Sequence, residues 1–295
     1  MDACTLCPRM CGVNREAGEK GYCGMDATIR AARAALHMWE EPCISGTRGS
    51  GAVFFSGCSL RCIFCQNFEI AEGNCAKEIS GERLSEIFLE LQEQGAANIN
   101  LVTAAHYVPA VIESLKKAKA QGMDLPVIYN SSGYERVETV QMLEEIVDVW
   151  LPDFKYMDSK LAFATSRAKD YPEVARAAIR EMMKAAGTCA YDEDGYIQKG
   201  VIVRHLILPG HTKNSIAVLD ELYGTYGDDL TISLMNQYTP LPQVRNIPDL
   251  NRRVTKREYE KVLDHALDLG ITQGFFQEGG TAKESFIPLF DYEGL

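Results

Sequence analysis

From about Gly51 onward, short runs of β-branched and aromatic residues alternate with longer amphipathic stretches, the rhythm of repeated strand and helix units. Six runs are predicted to be strands: Ala52 to Ser56, Ile99 to Thr103, Val127 to Asn130, Val147 to Leu151, Val201 to Leu208 and Leu230 to Leu234. Helical periodicity lies between them, over Leu84 to Gln94, Val108 to Gln121, Glu135 to Glu145, Pro172 to Ala186 and Ser215 to Tyr223, and returns after the last strand over Lys256 to Leu269. The strand runs are mostly unbroken apolar rather than alternating, which suits parallel strands covered on both faces. The pattern predicts an α/β fold, a partial (β/α)6 TIM-like barrel. The stretch TCAYDEDGYIQK, Thr188 to Lys199, breaks the rhythm, and its Asp194-Gly195 pair predicts a small inserted hairpin.

Residues 1–45 lack this alternation and are rich in Cys and Gly. They predict a small cysteine-rich knuckle set against a barrel domain over residues 46–295. Composition fits one well-filled domain, with 46% apolar and 24% charged residues and no low-complexity tract. A net charge of −11 argues against a phosphate-binding surface, so no nucleic-acid partner is expected. The start, MDACTLCPRM, has neither a basic nor an apolar leader segment, and no run approaches the roughly 18 apolar residues a membrane span needs. A cytoplasmic protein with no membrane partner is the expectation, and that changes how ten cysteines are read. In a reducing compartment, thiols at short spacings are more often metal ligands than disulfides.

Two sets of cysteines have such spacings. GCSLRCIFCQN places Cys58, Cys62 and Cys65 as CxxxCxxC directly after the first predicted strand. Three thiolates can hold a four-iron cluster and leave one iron open to a further ligand, whereas a structural zinc wants four protein ligands. CTLCPRMCGVNREAGEKGYCG carries Cys4, Cys7, Cys11 and Cys23, a set able to hold zinc or a second cluster; softness alone does not separate the two. Cys43, Cys75 and Cys189 are isolated and are expected to be small packed side chains.

CxxxCxxC with Phe64 before its last cysteine, on the loop after the first barrel strand, resembles the signature of the radical S-adenosylmethionine (SAM) superfamily. Within it, the N-terminal CxLCPRxCGVNR and the CQN after the triplet are similar to the pyruvate formate-lyase activating enzyme-like branch. The resemblance implies a 4Fe-4S cluster on Cys58, Cys62 and Cys65, with SAM bound along the C-terminal strand ends. It implies SAM contacts from Phe64 and Asn67 beside the cluster, from Asn130 and Ser131 in PVIYNSSGYE, from Asp153 and Lys155 in VDVWLPDFKY, and from Arg204 in VIVRHLILPG. Where that branch has Gly-Gly-Glu after its second strand, this chain has NINLVTAAHY, which nominates Thr103 and His106 instead.

The activity so implied is reductive cleavage of SAM to a 5′-deoxyadenosyl radical for hydrogen abstraction, in an oxidoreductase that activates a glycyl radical enzyme and takes electrons from a flavodoxin or ferredoxin. Two alternatives stay open on the sequence: the same chemistry on a small molecule or peptide, and a non-catalytic iron-sulfur or zinc protein. Neither fold nor cluster specifies a substrate.

Overall fold

A computed structural model describes residues 3–272, 274–277 and 288–295 of the chain. Its strands are β1 (Arg30–His37), β2 (Ser50–Phe55), β3 (Lys77–Glu78), β4 (Ile99–Val102), β5 (Val127–Ser131), β6 (Val149–Pro152), β7 (Ala190–Tyr191), β8 (Ile197–Leu206), β9 (Thr231–Met235) and β10 (Gly274–Phe276). Its helices are α1 (Pro42–Ser45), α2 (Phe68–Ala71), α3 (Gly81–Glu93), α4 (Val108–Ala120), α5 (Val137–Leu143), α6 (Ser159–Ser166), α7 (Tyr171–Ala186), α8 (Thr212–Tyr226) and α9 (Lys256–Asp268).

The strands run β10-β9-β8-β6-β5-β4-β2-β1-β3 across one sheet, with β7 paired to β8. From β2 through β4, β5, β6, β8 and β9 to β10 every pairing is parallel. The α/β fold with a mostly parallel sheet is therefore present, and among the described residues the sheet does not close, as a partial barrel requires. All of β2, β4, β5 and β6 is buried, because helices pack against the strands: α3 turns Leu84, Ile87, Phe88 and Leu91 inward at helical spacing. Capping fixes where several helices begin. The Ser80 hydroxyl accepts from the Arg83 amide to start α3, and Thr255 with Glu258 forms a capping box on α9.

Besides the short α1, α2 and β3, three elements differ from the sequence expectation. A seventh parallel strand, β10, follows α9; three residues are too few for periodicity to reveal. Inside the stretch read as a knuckle, β1 pairs antiparallel with β2 and so belongs to the main sheet. Its RAARAALH favours helix by composition, and strand pairing overrides that preference. Helix α6 also had no strong periodic signal; Asp158 caps it by accepting from the Lys160 and Leu161 amides. The hairpin at Asp194-Gly195 is present as β7 and the start of β8.

The register of the sheet positions the site. Val102 lies opposite Asn130, Asn130 opposite Leu151, and Asp153 bridges to Arg204. Polar residues just past the apolar runs of β4, β5, β6 and β8 are thereby brought level at one end of the sheet.

Candidate active site

The cysteine triplet sits on the loop that leaves β2. Gly57, with φ at +89°, turns the chain immediately before Cys58, and a Cβ there would meet the Cys23 carbonyl oxygen at 2.9 Å. Only glycine fits both the turn and that close approach. The loop is pinned on both sides: the Ile63 amide donates to the Thr165 carbonyl at 2.9 Å, and Gln66 Nε2 donates to the Gln237 carbonyl at 2.9 Å. Phe64 is buried against Tyr156 and Tyr238.

One cavity of about 210 Å³ opens above this loop, and its wall includes Cys58, Cys62, Cys65, Phe64, Asn67, Thr103, Asn130, Ser131, Asp153, Lys155 and Arg204. Residues spread over five chain segments thus share one space. The structure places His106 elsewhere. It is buried with Nε2 2.7 Å from the Ser56 carbonyl, and burial pulls its pKa down to about 3, so it is a neutral packing residue behind the loop.

A buried ionic network floors the cavity. Arg204 donates through Nε to Asp153 Oδ1 at 3.0 Å, through Nη1 to Glu40 Oε2 at 3.0 Å and through Nη2 to Asn130 Oδ1 at 2.6 Å. Glu40 Oε1 in turn accepts from Asn100 and Asn130, each at 3.1 Å. Lys155 Nζ pairs with the second oxygen of Asp153. Burial would raise the Asp153 pKa, but Lys155 and Arg204 outweigh it and hold the carboxyl below its usual range. Burial likewise works against the Lys155 charge, and Asp153 with Cys62 overcomes it. Asp153, Lys155 and Arg204 therefore stay charged, and removing one partner of such a set costs about 3–5 kcal/mol. Burial pushes the Cys65 thiol up to about 12 and raises that of Cys58, so without a metal these thiols keep their protons.

Sequence reasoning missed Glu40, His37 and Trp39, which reach the cavity wall from the end of β1, and Gln66 and Gln237. Their only signal was polarity beside apolar runs, which many surface residues share.

Among the described residues, no three His, Cys, Asp or Glu side chains are grouped to hold a single ion. A tetrahedral zinc needs its ligand atoms about 2.0–2.3 Å from one point. In the N-terminal set Cys4, Cys7 and Cys23 are buried and Cys11 is exposed. The cavity thiols fit a different group: a cuboidal iron-sulfur cluster is held from separate corners by thiolates around a space, and three cysteines lining one cavity meet that need.

Comparison with known proteins gives four findings. Residues 52–222 match the family model of the radical SAM superfamily. An uncharacterized protein of Methanocaldococcus jannaschii is 29% identical over 270 residues, covering 89% of this chain and 74% of that protein. Among solved structures, HydG, a maturase of the FeFe-hydrogenase, superposes with a TM-score of 0.54 at 14% identity, over 78% of this chain and 52% of its own. A radical SAM methyltransferase from Sphaerobacter thermophilus superposes with a TM-score of 0.52 at 13% identity, over 77% of this chain and 66% of its own. The chain spans about half the length of the first of these two structures, and at such identities the likeness concerns the fold.

Proposed function

Because the chain belongs to the radical SAM superfamily, we propose that it holds a 4Fe-4S cluster on Cys58, Cys62 and Cys65, binds SAM in the adjoining cavity, and uses the pair to abstract a hydrogen atom from a substrate. The observation that carries this reading is the convergence of the three thiols with polar residues from four successive parallel strand ends on one cavity. When bound, the cluster and SAM supply one-electron cleavage of SAM to methionine and a 5′-deoxyadenosyl radical. The chain's own residues bind, orient and shield.

Arg204 is held in three directions, by Asp153, Glu40 and Asn130, so its guanidinium is fixed before any ligand arrives. The Lys155 ammonium acts on the Cys58 and Cys65 thiols in the direction of their thiolates, the form that binds metal. Asn130, Ser131 and Thr103 offer hydrogen-bonding groups to a polar ligand, while Phe54, Leu60, Phe64 and Val102 give the cavity an apolar part of its lining that disfavours water. Thr103 has φ at +63°, a conformation costly for a β-branched residue, and it stands where the related branch has Gly-Gly-Glu.

For the hydrogen donor we propose a glycine of a partner protein, with a flavodoxin or ferredoxin as electron source. The support is the resemblance of the chain to the activating enzyme-like branch, within which the CTLCPRMCGVNR and CQN segments are similar to an uncharacterised group.

The test is anaerobic purification with iron, zinc and sulfide analysis, then paramagnetic resonance of the reduced protein with and without SAM and assay for 5′-deoxyadenosine. About four irons, a spectrum that shifts with SAM, and 5′-deoxyadenosine are expected. Zinc alone with no response to SAM would leave the non-catalytic reading standing.

A further inference from the structure

The Cys62 sulfur meets a chain of hydroxyls that the cavity residues do not explain. Ser166 Oγ lies 3.0 Å from Cys62 Sγ, and Tyr156 Oη lies 2.6 Å from Ser166 Oγ but 3.9 Å from the sulfur. Thr165 Oγ1 stands 2.9 Å from Tyr156 Oη and 2.7 Å from the Leu161 carbonyl. All three hydroxyl residues are buried. Each hydroxyl has a single proton to give. A metal-bound Cys62 is a thiolate and only accepts, so the proton of Ser166 goes to the sulfur. The proton of Tyr156 then goes to Ser166, because that contact is far shorter than its own path to the sulfur.

The position of Ser166 is built from both sides. It is the last residue of α6, which ends because Arg167 turns into the left-handed region at φ +53°. The Ile63 amide, next to Cys62, is bonded to the Thr165 carbonyl, next to Ser166. From the N-terminal segment, Arg9 donates to the carbonyls of Ser59, Ser166 and Arg167 at 2.9, 2.8 and 2.6 Å, so one guanidinium joins the cysteine loop to the end of α6. The Tyr22 and Tyr134 rings flank that guanidinium at 4.0 and 5.1 Å. Arg9 lies in the CPR stretch of the N-terminal cysteine motif, and this clamp gives that motif a task unrelated to its own thiols.

We propose that Ser166 is a positioning residue that sets the reduction potential of the cluster through its hydrogen bond to Cys62, with Tyr156 and Arg9 holding its hydroxyl on the sulfur. The proposal rests on the cluster reading given above. A donor to a ligand sulfur stabilises the more negative, reduced state more than the oxidised one, so the bond raises the potential and makes reduction easier.

The experiment is a dithionite titration of the anaerobically reconstituted protein, with the reduced-cluster resonance signal as readout, on wild type, Ser166→Ala and Ser166→Thr. Ser166→Ala is expected to keep its iron while its reduced-to-oxidised ratio at a fixed potential falls about tenfold, which is a shift of about 59 mV to more negative potential for one electron. Ser166→Thr keeps a hydroxyl and should stay near wild type. An unchanged potential in Ser166→Ala overturns the proposal, and so does an equal shift in Ser166→Thr, which would be a packing effect. If Ser166→Ala fails to retain iron, Tyr156→Phe decides, since it removes the donor to Ser166 while Thr165 keeps its bond to the Leu161 carbonyl: a negative shift supports the proposal and none overturns it. Adding SAM to the same wild-type sample separates the two readings, because a titrating cluster whose spectrum ignores SAM would sink the enzymatic function and leave the tuning bond intact.

Discussion

Glu135 shows how burial sets chemistry at a single residue. It is 2% exposed, and burial pushes its pKa up to about 8 from 4.5, so at neutral pH it holds a proton. The folded state then binds more protons than the unfolded one between pH 4.5 and about 8. The stability this carboxyl contributes is complete below pH 4.5 and is lost as pH rises through that window. Over the full window the loss is about 4–5 kcal/mol, taking about 1.4 kcal/mol per pH unit. Glu135→Gln cannot ionise, so its stability relative to wild type should climb between pH 5 and pH 8 in urea unfolding; a constant difference would show that Glu135 is charged throughout. Arg204 and Asp153 make the opposite case, buried groups kept charged by one another. Nothing in the run VIVRHLILPG says that its Arg pairs with an acid 164 residues away, and Glu40 accordingly escaped the sequence reading while Arg204 did not.

Among elements, α6 matters more to the site than its eight residues suggest. Its C-terminus carries Ser166 to Cys62, and its N-terminus is held by the Asp158 side chain alone among caps, accepting from the Lys160 amide at 2.8 Å and the Leu161 amide at 3.3 Å. Asp158→Ala should lower the unfolding free energy by about 1 kcal/mol, the usual cost of losing an N-cap, measured by urea titration of the metal-free protein. A change within error would mean that packing of Leu161 and Ala162 alone sets the helix. The long helices α3, α4 and α7 and the strands β4 to β6 were legible because one buried face or an unbroken apolar run repeats over many residues. For β10, with three residues, and for β1, whose alanines suit either state, local pattern carried too little information.

For the whole molecule, the two cysteine sets should behave as separate units. Cys62→Ala is expected to lose both the cluster and SAM cleavage. Replacing Cys4 and Cys7 together by Ser is expected to keep about four irons, measured by metal analysis against wild type, with reduced stability, because both thiols are buried. Loss of all iron in that double variant would show that the N-terminal thiols serve the barrel cluster. No helix among the described residues is long and apolar enough to cross a membrane.

Sequence alone determined the alternation of strands and helices, the parallel sheet they imply and the CxxxCxxC loop after β2, because apolar period and ligand spacing are local properties written within a few residues. Through the family resemblance of the strand-end segments it also nominated Asn130, Ser131, Asp153, Lys155 and Arg204. Only the tertiary structure decided that His106 packs behind the cysteine loop, that Glu40 completes the ionic floor, and that Ser166, from mid-chain, and Arg9, from the N-terminal segment, converge on Cys62 and its loop. Those contacts join residues 50 to 164 positions apart, and sheet register and helix packing, which no local pattern encodes, brought them together.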